Sequence, residues 1–211
     1  KKIDRSENED KYPKHQSLGL FDLKNISRKE ICEKFNWNKN KKIVTIFFPY
    51  MIDGIYQNGR RNLYIDNYSW IINTLKFIEK IKNVNWIIRE HPQERRYHTI
   101  CDLQSILNNL VKKNKHIKIS LDNINPYYLM KLTDVALTCN GTAGLEYQSF
   151  GKPVIISENS QYSHFGFEPT PKNINEYKNL LKKIHLLKNP SQEKIYKAKV
   201  ILFAQNFLSK T

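Results

Sequence analysis

Cysteine is scarce in this chain of 211 residues. Cys32, Cys101 and Cys139 are odd in number, widely spaced and form no CxxC pair. That pattern argues against a disulfide framework and against the usual zinc spacings, so each thiol is expected reduced, as a small buried apolar side chain. Long apolar runs are missing as well. The stretch from Ile43 to Tyr50 is among the longest, and it falls far short of the roughly 20 residues that cross a bilayer. The opening KKIDRSENED has no charged-then-apolar leader pattern and no initiating methionine. The first feature leads us to expect a soluble, cytoplasmic protein. The second reads as a trimmed or processed chain, or a piece of a longer one. Acidic residues are also few: 20 against 35 basic ones leave a formal net charge of +15. Such a charge invites a nucleic-acid reading. The lysines are scattered, however, as in Lys39, Lys41, Lys42, then Lys112, Lys113, Lys115, then Lys182, Lys183. There is no RNA-recognition signature, no finger spacing and no arginine stripe with interleaved aromatics, so nucleic acid is not the favoured partner. A basic surface would still draw phosphate-bearing ligands or an anionic membrane face.

What is present is enough for a core. Hydrophobic residues make up 40% and aromatics 12% of the chain, and at this length roughly 70% of the unfolded surface can be buried. Residues 1–26 are polar and aperiodic and read as an arm or linker, leaving 27–211 as one domain. Ser27-Arg28-Lys29-Glu30 is a capping box, with Ile26 and Ile31 at staple positions and a helix to about Asn36. Apolar strands are expected at Ile43–Phe48, Val84–Ile88, Ile117–Leu121, Asp134–Thr138 and Pro153–Ser157. Helices are expected at 67–81, 97–113, 126–132, 142–150, 173–188 and 191–208, with Gly151 ending the fourth of these. Continuous rather than alternating strands, interleaved with helices, predict a single Rossmann-like α/β domain. Its open, mostly parallel sheet is covered on both faces.

Glycine is rare too, with seven in all, yet three of them, Gly141, Gly144 and Gly151, fall within NGTAGLEYQSFGKPVI from Asn140 to Ile155. That segment follows the fourth strand. Arg89-Glu90-His91-Pro92 follows the second, and Tyr162 to Gly166 follows the fifth. In a parallel sheet all three lie at the carboxyl edge, where such folds bind ligands. A turn of Asn140, Gly141, Thr142 and Ala143 leading into a helix presents free N–H groups to a phosphate. Glu146 lies four residues beyond Thr142 on the same face and could accept hydrogen bonds from the hydroxyls of a ribose. His91 could donate to a phosphate oxygen, with Arg89 assisting as a cation and Glu90 as its partner or an outward charge. Tyr162, His164 and Phe165 could flank a base or sugar. Each has a plainer reading: Gly141 makes the turn, Gly144 permits close helix–sheet packing, Glu146 is a solvated charge, His-Pro marks a strand exit, and YSHFGF is a packed loop.

Together, Ile88 to Pro92, Asn140 to Val154, and the later Tyr and Gly-Phe pair resemble the C-terminal, donor-binding half of GT-B glycosyltransferases. More narrowly, the pattern is similar to bacterial capsule polysaccharide synthesis proteins, which include Kdo transferases, over roughly residues 40 to 170. The resemblance implies that His91 and Thr142 contact phosphate and Glu146 the ribose or base. It implies no metal and no cofactor beyond a nucleotide-sugar donor, with CMP-linked favoured over UDP- or GDP-linked because of the His-Pro pair. It also implies a glycan or glycolipid acceptor, and a resting place at the inner face of the membrane. A threonine stands where several relatives carry serine. GT-B enzymes have two Rossmann-like domains and often keep the catalytic base in the N-terminal one. This chain has room for one, so an N-terminal domain or partner chain is expected. The alternatives are a CDP-glycerol-type glycerophosphotransferase, a sugar-nucleotide epimerase, a basic nucleic-acid-binding module and a non-catalytic scaffold.

Overall fold

The computed structural model describes residues 27–51, 63–91, 102–120, 126–166 and 169–207. Five strands, β1 (Ile43–Phe47), β2 (Asn85–Arg89), β3 (Ile117–Ile119), β4 (Val135–Thr138) and β5 (Val154–Ile156), form one sheet in the order β3-β2-β1-β4-β5. Every pairing is parallel, with Ile46 opposite Ile88 on one side and Leu137 on the other. Among the described residues there are seven α-helices: α1 (Arg28–Lys34), α2 (Asn67–Ile78), α3 (Leu103–Lys113), α4 (Pro126–Leu132), α5 (Ala143–Ser149), α6 (Ile174–Lys182) and α7 (Gln192–Phe207). The proposed arm, residues 1–26, lies outside the described residues, as do Ile26 of the staple and Cys101. The expected helix from 173 to 188 is instead α6 followed by a separate 3-10 turn at Ile184–Leu186.

Local chemistry accounts for the helix ends. The Ser27 hydroxyl accepts from Glu30 N and the Glu30 carboxylate accepts from Ser27 N, as a capping box requires. At the other end of α1, Asn36 takes a positive φ of 53°, and Trp37 N returns to Cys32 O at 2.7 Å. Helix α5 ends the same way. Gly151 has φ 77°, and Gly151 N and Lys152 N donate to Gln148 O and Tyr147 O, both at 3.0 Å. This is a Schellman closure, and glycine adopts that backbone without a Cβ penalty.

Strand periodicity sorts the core into two layers. Val44, Ile46, Trp86, Ile88, Val135, Leu137 and Ile155 pack with Trp70, Ile71, Leu75, Leu107, Tyr177 and Leu181 from α2, α3 and α6. The opposite face carries Ile43 and Ile87 against Ile31 and Leu129, and Ala136, Val154 and Ile156 against Leu145 and Ala198. Each fully buried side chain of this size contributes roughly 1.5–3 kcal/mol. Polar groups inside are paired across elements: Thr74 and Tyr177 hydroxyls lie 2.9 Å apart, and Thr45 and Thr133 hydroxyls 2.6 Å apart. At the amino edge of the sheet, Asp134 accepts from Ile43 N at 2.8 Å and pairs with Arg28 at 2.7 Å, which ties α1 to the sheet. Cys32 and Cys139 are free and buried, as expected, and burial pushes both thiols up.

Candidate functional site

The strand order reverses between β1 and β4. In open α/β sheets that is where the crevice at the carboxyl edge opens. The chain leaves β1 through Phe48-Pro49-Tyr50, β2 through Glu90-His91, and β4 through Cys139 to Thr142. The ends of β2 and β4 are two strand spacings apart, roughly 10 Å. His91 and the glycine turn therefore stand on opposite sides of the end of β1, a span suited to a phosphate-bearing ligand lying over it.

The turn is built from below. Gly141 N donates to Thr138 Oγ1 at 3.2 Å, and Gly144 N returns to Gly141 O at 3.0 Å. Gly141 has no positive φ, so the turn does not need glycine for its backbone angles. A Cβ there would come within 3.1 Å of Thr138 Oγ1 and press on the hydroxyl that holds the turn. Thr142 begins α5 in helical geometry, is exposed, and makes no side-chain capping bond. Ala143 is half-buried behind it. Glu146 donates its N–H to Thr142 O at 3.0 Å, which fixes the two residues on one face of the helix. Its side chain is half-buried, and desolvation raises its carboxyl above the ordinary value. A carboxylate held part-way out of water gains from ligand hydroxyls that solvate its charged form.

The remaining expected residues occupy specific places. The His91 ring stacks on Tyr50, centroids 5.4 Å apart and planes inclined by 25°. Tyr50 O in turn accepts from Asn67 Nδ2 at 2.8 Å, fixing the backbone beneath the pair. Arg89 directs a guanidinium nitrogen to Ser120 Oγ at 3.4 Å, joining the ends of β2 and β3. Glu90, expected to pair with Arg89 or face outward, is only 5% exposed and so does not face outward. Asn140 is half-buried at the head of the turn. Pro92 lies outside the described residues.

Tyr162 is 1% exposed, and its hydroxyl donates to Gly141 O. It supports the glycine turn from beneath, with its ring in the apolar cluster of Leu145, Val154 and Ile156. It is His164 and Phe165, in the next turn, that are exposed, their rings 4.1 Å apart. Among the described residues no group of His, Cys, Asp and Glu side chains could hold a metal ion.

Two residues at this edge escaped the sequence reading. Tyr50 is the platform for His91, and its only sequence signal was its place after Pro49 at a strand end. Glu158 follows β5, is 3% exposed, and its carboxylate accepts from Leu63 N at 2.6 Å. Burial drives its pKa from 4.5 to about 7, against the opposing effect of the Leu63 and Tyr64 N–H groups. It pins the segment that leads into α2 to the end of β5. An acid directly after an apolar strand was the available hint.

No family model and no curated protein matches the chain. Solved structures do. Anabaena HepE in complex with UDP is 14% identical at a TM-score of 0.53, over 90% of this chain and 54% of that one. UDP-GlcNAc 2-epimerase from Neisseria meningitidis bound to UDP-GlcNAc is 15% identical at a TM-score of 0.50, over 90% and 50%. A third, the β-Kdo 2,7 transferase KpsC of Thermosulfurimonas dismutans, is 20% identical at a TM-score of 0.45, over 64% and 39%. At these identities the first two likenesses show the fold: a Rossmann-like α/β domain, one half of a GT-B architecture. The chain spans about half the length of those two structures.

Proposed function

We propose that this domain binds the nucleotide of a sugar-nucleotide donor in the crevice over β1, as the donor half of a glycosyltransferase of surface polysaccharide assembly. The observation that carries the reading is the turn into α5. Thr142 has a hydroxyl not used in capping, on the same helical face as the half-buried Glu146, at the strand edge where this fold takes ligands. In this reading the turn from Asn140 to Ala143 holds phosphate through the backbone N–H groups of Thr142 and Ala143 and the Thr142 hydroxyl, with Gly141 N–H kept by Thr138 Oγ1, while Glu146 accepts from ribose hydroxyls. His91, held by Tyr50, donates to the phosphate from across the crevice. It offsets the charge that develops as the glycosyl bond to phosphate breaks and the sugar passes to an acceptor hydroxyl. Arg89 adds positive potential from the β2–β3 side, and Tyr162 positions the turn. The acceptor is a glycan or glycolipid, and its activation falls to a second domain or partner chain.

The favoured donor is CMP-linked, on the strength of the His-Pro pair. Uridine nucleotides are the competing choice, because the two structures of matching fold hold UDP or UDP-GlcNAc. Calorimetric titration with CMP, CDP, UDP and GDP separates them. Cytidine-selective binding, weakened roughly tenfold in both His91→Ala and Glu146→Ala, is the expected result, each variant losing a charge-assisted hydrogen bond. Uridine selectivity with the same two losses would keep the site and change the donor. Unchanged affinity in both variants would remove the site. The epimerase and glycerophosphotransferase readings are separated by turnover of UDP-GlcNAc or CDP-glycerol without sugar transfer.

A further inference from the structure

The last helix is apolar on two opposite sides. Inward, Ala198, Ile201 and Leu202 pack with Leu145, Val154 and Tyr162 beneath the sheet. Outward, Tyr196, Val200 and Phe203 repeat at helical spacing and are 69%, 47% and 60% exposed. Phe150, at the carboxyl end of α5, adds a fourth large apolar side chain at 59% exposure. It shares with Phe203 a groove of about 600 Å³ between α5 and α7. Large apolar side chains exposed along one helix face, flanked by charge, mark an interaction rather than ordinary surface. The patch is separate from the crevice over β1, because Phe150 and Thr142 lie at opposite ends of α5.

Charge decides what covers it. Helical spacing puts Lys197 and Lys199 on opposite flanks of the Tyr196-Val200-Phe203 stripe, and Lys194 lies within a turn of Lys197. The one acid in α7, Glu193, is held by Lys197 at 2.6 Å. A second copy docked stripe to stripe would bring lysines against lysines, which opposes the pairing. An anionic lipid surface matches both features. The rings and the valine enter the boundary between headgroups and acyl chains, and the ammonium groups stay among the phosphates. The chain's net charge of +15 adds attraction at longer range. Among the described residues no helix is long and apolar enough to cross a membrane. The contact is therefore with the interface.

We infer that the outer face of α7, together with Phe150, docks on an anionic membrane surface. This does not depend on the nucleotide reading, and its test is independent of it. The full chain is co-sedimented with vesicles of phosphatidylcholine alone and of an equimolar mixture with phosphatidylglycerol. Three proteins are compared: wild type, Val200→Ser/Phe203→Ser and Lys197→Glu/Lys199→Glu. Thermal melting and light scattering are followed in parallel. Binding to the anionic vesicles only is expected, reduced at least about tenfold by each pair of substitutions with melting unchanged. Should the serine pair shift melting, Tyr196→Ser alone serves, with a smaller loss expected. Anionic-vesicle binding that both pairs leave intact would overturn the inference, since charge elsewhere would then carry it. So would no vesicle binding, or a dimer that the serine substitutions dissociate.

Discussion

At the scale of the residue, two carboxylates at the carboxyl edge of the sheet behave differently because of what surrounds them. Glu146 is half-buried on an exposed helix face, where a ligand can reach it. Glu158 is enclosed, and two backbone N–H groups only partly offset the desolvation that raises it from 4.5 to about 7. The raised value makes a stability prediction with a defined sign. Below the unfolded value the group is neutral in both states. Between 4.5 and about 7 it is ionised when unfolded but still neutral when folded, so stability falls across that window and levels off above it. Glu158→Gln keeps an acceptor for Leu63 N and Tyr64 N and removes that charge. Urea unfolding should show the variant level with wild type near pH 4 and more stable at pH 8, by on the order of 1–3 kcal/mol. An equal difference at both pH values would mean that ionisation of Glu158 is not what limits stability. The sequence around Glu158 hinted only at its place after a strand, because its donors come from residues 63 and 64.

At the scale of the element, α5 is a short helix whose two ends do separate work. Its carboxyl end is closed locally by Gly151, which was legible from the order of residues alone. Its amino end depends on Tyr162, delivered from the far side of β5. Gly144 is where the two meet. A methyl group there would strike the Tyr162 hydroxyl and come within 3.3 Å of two Ile156 side-chain carbons. Tyr162 is buried and bonded to Gly141 O, so it cannot yield without disturbing the turn. Gly144→Ala is therefore expected to destabilise by roughly 1–3 kcal/mol, the usual range for overpacking. It should also weaken nucleotide binding by more than Gly166→Ala does. At Gly166 an added methyl would meet no atom within 4 Å, and the only strain comes from a positive φ of 74°. Denaturant melts and calorimetry on the two variants check both halves. If Gly144→Ala lost stability but kept full nucleotide affinity, the turn would not be part of the binding site.

At the scale of the whole molecule, charge and fold act on different partners. The fold gathers its candidate ligand groups at one edge of the sheet, while lysines are distributed along the chain and flank the apolar stripe of α7. Charge scattered over the chain rather than gathered in one groove gives weak nucleic-acid binding. Filter binding to single-stranded RNA and duplex DNA at physiological salt is expected to show none, whereas nucleotide binding in the crevice persists. Tight RNA binding with a steep salt dependence would reverse that order and make the basic surface the primary site.

Much of the architecture was legible in the sequence, because it rests on local rules. Apolar runs of strand length, helical periodicity between them, the Ser27–Glu30 box and Gly151 all act within a few residues of themselves. They determined a parallel α/β domain and which loops share its carboxyl edge. Tertiary structure decided the rest. Strand order placed β1 between His91 and the glycine turn, and brought Tyr50 under the His91 ring. The packing of the segment after β5 sent Tyr162 inward and left His164 and Phe165 outside. Contact between residues 63 and 158 buried a carboxylate that reads as solvated. Burial and charge interaction depend on neighbours distant in the chain, and a sequence read along its length does not contain those distances.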